Sequence, residues 1–194
     1  MMATVHQLDN ITIGLSLLKL TVFIGIGSII GIATSKISPL FTMLLASFLI
    51  SIGTYLYSIN INIPTNEINI IFYLTGLGYG LFIVPIHNTG LHNIKENIRG
   101  ITSSMISLSR MVGMIFGLSI MTTIGTARFA ELVTGMQIFS MDPKVQQTIN
   151  DEINVAGLEV FNEILIGAFI FTILNFISVL VLCYWYSRTK IGNS

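Results

Sequence analysis

The stretch GLGYGLFIVPIHNTGLHNIKENIRGITSSMISLSRMVGMIFG, from Gly76 to Gly117, decides the fold of this chain. Two apolar segments flank a short hydrophilic connection that carries Lys95, Glu96 and Arg99. The apolar spans to which these segments belong, about 69–87 and 101–127, reach the length of roughly 20 residues with which a helix crosses the hydrocarbon core of a bilayer. The stretch therefore predicts two membrane helices joined by a short loop.

Glycines recur at helical spacing in both segments. Gly76 and Gly80 form one Gly-x-x-x-Gly pair, and Gly113 and Gly117 form another. On a membrane helix such a pair removes side chains from one face, so that the backbone of a neighbour can approach closely. The sequence predicts helix packing at these pairs and at four further positions, Gly27, Gly31, Gly78 and Pro85.

The whole chain has the composition of a membrane protein. Only 9% of its 194 residues are charged, against about 25% in an ordinary soluble domain, and 53% are hydrophobic, with a mean hydropathy of +0.82. We predict an all-α membrane protein, one membrane domain over residues 1–194, embedded in the lipid bilayer. Its five spans are expected at about 13–34, 39–57, 69–87, 101–127 and 164–187. The net charge of zero gives no argument for binding nucleic acid.

The charges of the connections predict the orientation. One side of the membrane receives one acid, Glu96, and five basic residues, namely Lys36, Lys95, Arg99, Arg188 and Lys190. The other side receives two basic residues and eight acids. Lys and Arg are enriched in cytoplasmic loops. We therefore expect a multi-pass protein of the cell membrane with its N-terminus outside and its C-terminus in the cytoplasm.

The long connection at 128–163 contains its own helical signal. Asp142 followed by Pro143 is typical of a helix start, and Val145, Ile149 and Ile153 then repeat every four residues. This pattern predicts a short helix near 143–153, lying on the membrane surface or against the outer mouth of the bundle. A solvated loop with a helical fragment is the alternative.

Two charged residues fall inside predicted spans. Arg110 lies nine residues past Ile101, about 13 Å along a helix, and an arginine at bilayer depth costs roughly 3 kcal/mol. It either faces the interior, as a gating or helix-pairing residue, or extends to the interface. Lys19 can either extend its amine to the outer interface or line a cavity. We take both as transport or gating candidates, together with Tyr79 and Ser107.

Helix-period spacing also places several small, flexible and charged side chains on one stripe of the fourth span. The stripe contains Ser103, Ser107, Arg110, Met114, Gly117 and Met121. Spacings of three and four residues put them on one helix face. That face either lines a transport path or forms a seam between helices.

The ordered motif across both segments resembles the late helices of the major facilitator superfamily, in particular its fourteen-helix drug:proton antiporter branch. The matching positions are Gly76, Gly78, Gly80, Pro85, Arg99, Gly100, Ser103, Ser104, Arg110, Gly113 and Gly117. The segment from Gly31 to Ser38 sits where that family has a cytoplasmic charged motif. Gly31 and Lys36 match it, whereas Ser35 replaces the acid and Ser38 the glycine.

The resemblance implies the C-terminal part of a multidrug-efflux-like transporter: five helices of a six-helix bundle, acting by alternating access on a small amphipathic substrate. Its partner would be the missing N-terminal half or an upstream subunit. Because no Asp or Glu lies inside a predicted span, proton coupling would reside in that other half, and we expect this chain to be inactive alone. A non-transporting scaffold or accessory subunit is the alternative.

Catalytic and metal-binding patterns do not emerge from the sequence. The three histidines are scattered and the single cysteine, Cys183, has no histidine partner nearby in sequence. The glycine run is not followed by the Lys-Ser/Thr of a phosphate-binding loop. We therefore expect no enzymatic activity, no metal and no cofactor.

Overall fold

The computed structural model describes residues 10–60, 69–91, 94–134 and 143–191. These ranges contain five α-helices and no strand: α1 (Asn10–Ser35), α2 (Pro39–Ile59), α3 (Asn69–Gly90), α4 (Glu96–Val133) and α5 (Pro143–Ile191). All five are long and apolar enough to cross a membrane. The predicted helical membrane fold with five spans is therefore confirmed.

A tight turn joins α1 to α2. The amide of Ile37 donates to the Thr34 carbonyl over 3.1 Å. Ser38 then caps α2, because its side-chain oxygen accepts from the amide of Phe41 over 3.4 Å, and Pro39 occupies the first helical position, where its missing N–H costs nothing. The turn makes α1 and α2 antiparallel neighbours, although α1 packs mainly on α3.

Helix α3 lies between α1 and α2, and its glycines face both. A helix turns about 100° per residue, so Gly78 points roughly opposite to Gly76 and Gly80. A Cβ added at Gly76 would lie 2.7 Å from the Leu20 carbonyl oxygen of α1, whereas one at Gly78 would lie 3.0 Å from the Ile50 amide of α2. The run of alternating glycines thus allows two neighbours to approach one helix.

The facing helix α1 contributes its own small residues to the α1–α3 seam. A Cβ at Gly27 would lie 2.5 Å from the Leu77 carbonyl oxygen, and one at Gly31 would meet Leu81 at 3.4 Å. Phe23 and Tyr73 stack across the same seam with their ring centroids 4.2 Å apart. The α1–α3 pair is therefore held by backbone contact at its centre and by an aromatic pair.

Helix α5 corrects the predicted layout of the connection at 128–163. It starts at Pro143, but it continues without a break for 49 residues, so that residues 143–153 form its first turns and not a separate surface helix. No proline interrupts the segment between 153 and 164, and its inner face is covered, since Ala156 is 5% exposed and Val160 fully buried. The Ser58 hydroxyl also lies 3.2 Å from Asn162 Oδ1.

Helix α4 is the least attached element. Every residue from 108 to 120 is exposed. Contacts occur near the two ends: a Cβ on Gly90 of α3 would lie 2.6 Å from Ile106 Cδ1, and one on Gly125 would lie 2.6 Å from Ile164 Cδ1 of α5. The middle of α4 therefore stands away from the rest of the bundle.

Candidate functional site

The gap beside α4 forms a cavity of about 580 Å³ between α2, α3, α4 and α5, which we name the central cavity. Most of its wall is apolar, including Ile50, Phe82, Phe116 and Phe171. Such a wall, with few polar groups, is typical of sites for small organic molecules.

Gly113 and Gly117 of α4 line this cavity and do not form a seam. A Cβ added at Gly113 or Gly117 would meet nothing within 4 Å, and both residues lie in the cavity wall. Among the residues that the structure describes, Gly113 and Gly117 therefore do not form the expected packing pair. The glycines instead leave space that a larger side chain would fill.

Four polar side chains reach the central cavity. The hydroxyls of Thr54 and Thr172 donate to carbonyls of their own helices, at 2.9 Å and 2.8 Å. Tyr79 and Asn175 also line it, and neither has a hydrogen-bond partner among the residues that the structure describes. These two side chains are therefore the polar groups available to orient a ligand. Asn175 was missed by sequence reasoning, although a lone amide within an apolar span is a visible signal.

The structure separates the other predicted transport residues from this cavity. Lys19 is half-buried on α1, a helix that contributes nothing to the cavity wall. Ser107 is half-buried and Arg110 exposed. By helical register Arg110 shares a stripe with Gly113 and Gly117, one turn away from the cavity. Its guanidinium has no hydrogen bond or ion pair within the described ranges, so the expected interior partner is not in this part of the chain.

A second cavity of about 1020 Å³ lies at the end of the bundle that carries Lys36, Lys95 and Arg99, and we name it the basic-end cavity. Its wall includes the exposed Lys36. Arg99 and Gly100 are exposed on the first turn of α4 and do not contribute to it. Pro85, about one helical turn before Asn88 and Thr89 of the cavity wall, is fully buried in α3.

A neutral hydrogen bond joins α1 and α3 at the end of the bundle that carries Lys36. Asn88 Nδ2 of α3 donates to Ser35 Oγ of α1 over 2.8 Å, and Ser35 is 5% exposed. The ends of α1 and α3 are therefore linked by a neutral hydrogen bond.

The opposite end of the bundle carries the ionic contacts. Arg128 of α4 pairs with Glu163 of α5 at 3.3 Å and with Glu131 at 2.7 Å. Among the described residues no group of three or more His, Cys, Asp or Glu side chains could hold a metal ion. The Arg128–Glu163 pair thus joins α4 to α5, whereas Glu131 lies on α4 itself.

Comparison with known proteins identifies transporter relatives over part of the chain. The chain is 31% identical over 75 residues to a probable triacylglyceride transporter of Mycobacterium leprae, covering 39% of this chain and 14% of that protein. It is 32% identical over 63 residues to a triacylglyceride transporter of Mycobacterium tuberculosis, covering 32% of this chain and 12% of that protein. No family model and no solved structure matches. The chain is thus a multi-pass helical membrane protein that is similar, over about two-fifths of its length, to membrane transporters.

Proposed function

We propose that this chain is the C-terminal part of a drug-exporter-like facilitator that moves small amphipathic compounds across the cell membrane by alternating access. The observation that carries the proposal is the central cavity, which is mostly apolar and has two polar side chains, Tyr79 and Asn175, free to bind. In alternating access, bundles rock around a site near the middle of the membrane. The wall of this cavity suits one side of such a site.

The exposed middle of α4 is an argument that a second bundle packs against it in the working transporter. Arg110 is exposed on this helix, and a guanidinium in a span normally faces protein or water instead of lipid. The described residues supply it no partner. We propose that the other half of the transporter covers this stripe, and that Arg110 then contacts a polar group there.

The substrate we propose is an amphipathic molecule, lipid-like compounds included. The cavity wall combines aromatic and aliphatic side chains with an amide and a phenol, which suits a molecule with an apolar body and a small polar head. One relative is named as a probable triacylglyceride transporter and another as a triacylglyceride transporter, and these names agree with an apolar cargo. We also propose that the basic end faces the cytoplasm, following the Lys and Arg distribution.

A binding experiment with a matched pair of variants tests the central cavity. Gly117→Leu places an isobutyl group in the cavity, whereas Gly25→Leu adds the same group on α1, where a Cβ likewise meets nothing within 4 Å. We expect Gly117→Leu to weaken binding of a fluorescent acylglycerol by about tenfold, since small changes of pocket shape cost that much. Gly25→Leu should bind like the parent chain. Equal affinities of the two variants would exclude the central cavity as the site.

A transport experiment separates the transporter from the alternative, a non-transporting scaffold. Residues 1–194 are expressed in cells that lack their major exporters, and the accumulation of a fluorescent lipophilic cation is followed with and without a protonophore. We expect no protonophore-sensitive extrusion from this chain alone, because it has one bundle and no acid within a predicted span. Extrusion on co-expression with an N-terminal transporter half supports the proposal. A stable complex with that half that never extrudes the cation supports the scaffold.

A further inference from the structure

The basic-end cavity has a charge that the central cavity lacks. Among the described residues of its wall, Lys36 is the one that carries a charge, and the described part of the chain gives its ammonium no hydrogen bond or ion pair. The acid at this end, Glu96, belongs to α4, which does not line the cavity. A cavity with one uncompensated cation selects an anionic ligand.

Part of the remaining wall is apolar. Leu40 of α2 and Val181 and Leu182 of α5 all line it. Val181 is 60% exposed and Leu182 44% exposed, although both belong to a membrane span. The cavity therefore borders the surface at which α2 and α5 meet the bilayer, and an acyl chain can enter it sideways.

The depth of the cavity corresponds to the headgroup region. Trp185 and Tyr186 line it and are 71% and 51% exposed, and Trp and Tyr are enriched where a membrane meets water. Asn88 and Ser35, joined by a hydrogen bond, also line the cavity. The wall of the basic-end cavity thus combines polar groups, a cation and aromatic rings with its apolar part.

We propose that the basic-end cavity binds one anionic phospholipid, with Lys36 paired to its phosphate and one acyl chain against Leu40, Val181 and Leu182. Basic pockets between membrane helices recognise charged lipid headgroups. The volume of about 1020 Å³ is at the upper end of the range for sites that enclose a drug-sized ligand. Such a lipid would bridge α2 and α5 at the end where their side chains leave a gap.

The single tryptophan of the chain gives a direct test, because Trp185 lines this cavity. The full chain is reconstituted in phosphatidylcholine vesicles, and brominated phosphatidylglycerol or brominated phosphatidylcholine is titrated in while Trp185 fluorescence is recorded. Bromine on an acyl chain quenches indole emission at close range. We expect brominated phosphatidylglycerol to reach half-maximal quenching at a mole fraction about fivefold lower than brominated phosphatidylcholine does. One basic residue near an anionic lipid contributes about this much to its binding.

Charge variants at the same end of the bundle separate a site from a general surface effect. Lys36→Gln should abolish the preference for phosphatidylglycerol, and Lys36→Arg should keep it. Lys95→Gln is the matched control, because Lys95 immediately precedes α4 and does not line the cavity; it should behave like the parent chain. Equal quenching by the two lipids in the parent chain would overturn the proposal. So would a preference that survives Lys36→Gln, or one that Lys95→Gln reduces as much.

Discussion

Replacing Gly80 by alanine should separate α1 from α3. The added methyl group would collide with the Ile24 carbonyl oxygen and would lie 2.6 Å from the Ser28 amide nitrogen and 2.8 Å from the Gly27 carbonyl carbon. All three atoms belong to the backbone of α1, so no side-chain rotation can relieve the contact. The two helices would have to move apart by about 1 Å to restore ordinary van der Waals distances.

The cost of this movement can be estimated from the contacts along the seam. A gap of 0.5–1 Å already removes a quarter to a half of the dispersion energy of each contact, and overpacked sites lose about 1–3 kcal/mol. Because the obstacle is backbone on every side, we expect the upper part of that range, about 2–3 kcal/mol. This corresponds to roughly a 30- to 150-fold change in the folding equilibrium.

The assay is unfolding in mixed micelles of a mild detergent and sodium dodecyl sulfate, followed by circular dichroism. Gly113→Ala is the matched control, because it makes the same substitution in a membrane helix where a Cβ meets nothing within 4 Å. Alanine itself favours a helix by about 1 kcal/mol over glycine, so the difference between the two variants isolates the steric cost. A Gly80→Ala chain as stable as Gly113→Ala would refute the close α1–α3 seam.

Three further predictions concern the two ends of the bundle. Reporter domains fused after Asn60, Gly90, Met141 and Ser194 should lie outside, inside, outside and inside, respectively. A cytoplasmic signal after Met141 would refute the orientation. Asn88→Leu removes the partner of the buried Ser35 hydroxyl and should destabilise the chain by about 1–2 kcal/mol, measured in the same unfolding assay; no change would show that the bond to Ser35 contributes nothing. Arg128→Gln should shift the unfolding midpoint only slightly and only at low salt, because its pairs with Glu131 and Glu163 are exposed and screened; a large shift that persists at high salt would contradict this.

The helices themselves follow from the sequence. In a bilayer every backbone amide and carbonyl must be paired within its own segment, so a long apolar stretch has to become a helix. The predicted spans and the observed helices agree in number and in order. The start of α5 at Pro143 was also visible, because a proline after an Asp is a local signal. Its continuation to Ile191 was not, because the buried residues that support it, such as Val160, depend on contacts with other helices.

The role of each glycine was only partly visible. Small-residue spacing shows that a backbone can approach, but not whether one does. Gly80 and Gly113 belong to the same kind of pair in the sequence, yet one lies in a seam and the other in a cavity wall. The difference arises because α4 contacts the bundle near its ends and leaves a gap at its middle.

What the sequence alone determined is the membrane class, the five helices and the positions at which close packing is possible. Only the tertiary structure decided which helices are neighbours, that Ser35 bonds to Asn88, and that Tyr79 and Asn175 face one cavity. The reason is physical: helix formation in lipid is governed by hydrogen bonds four residues apart, whereas cavities and cross-helix bonds join residues that are far apart in the chain.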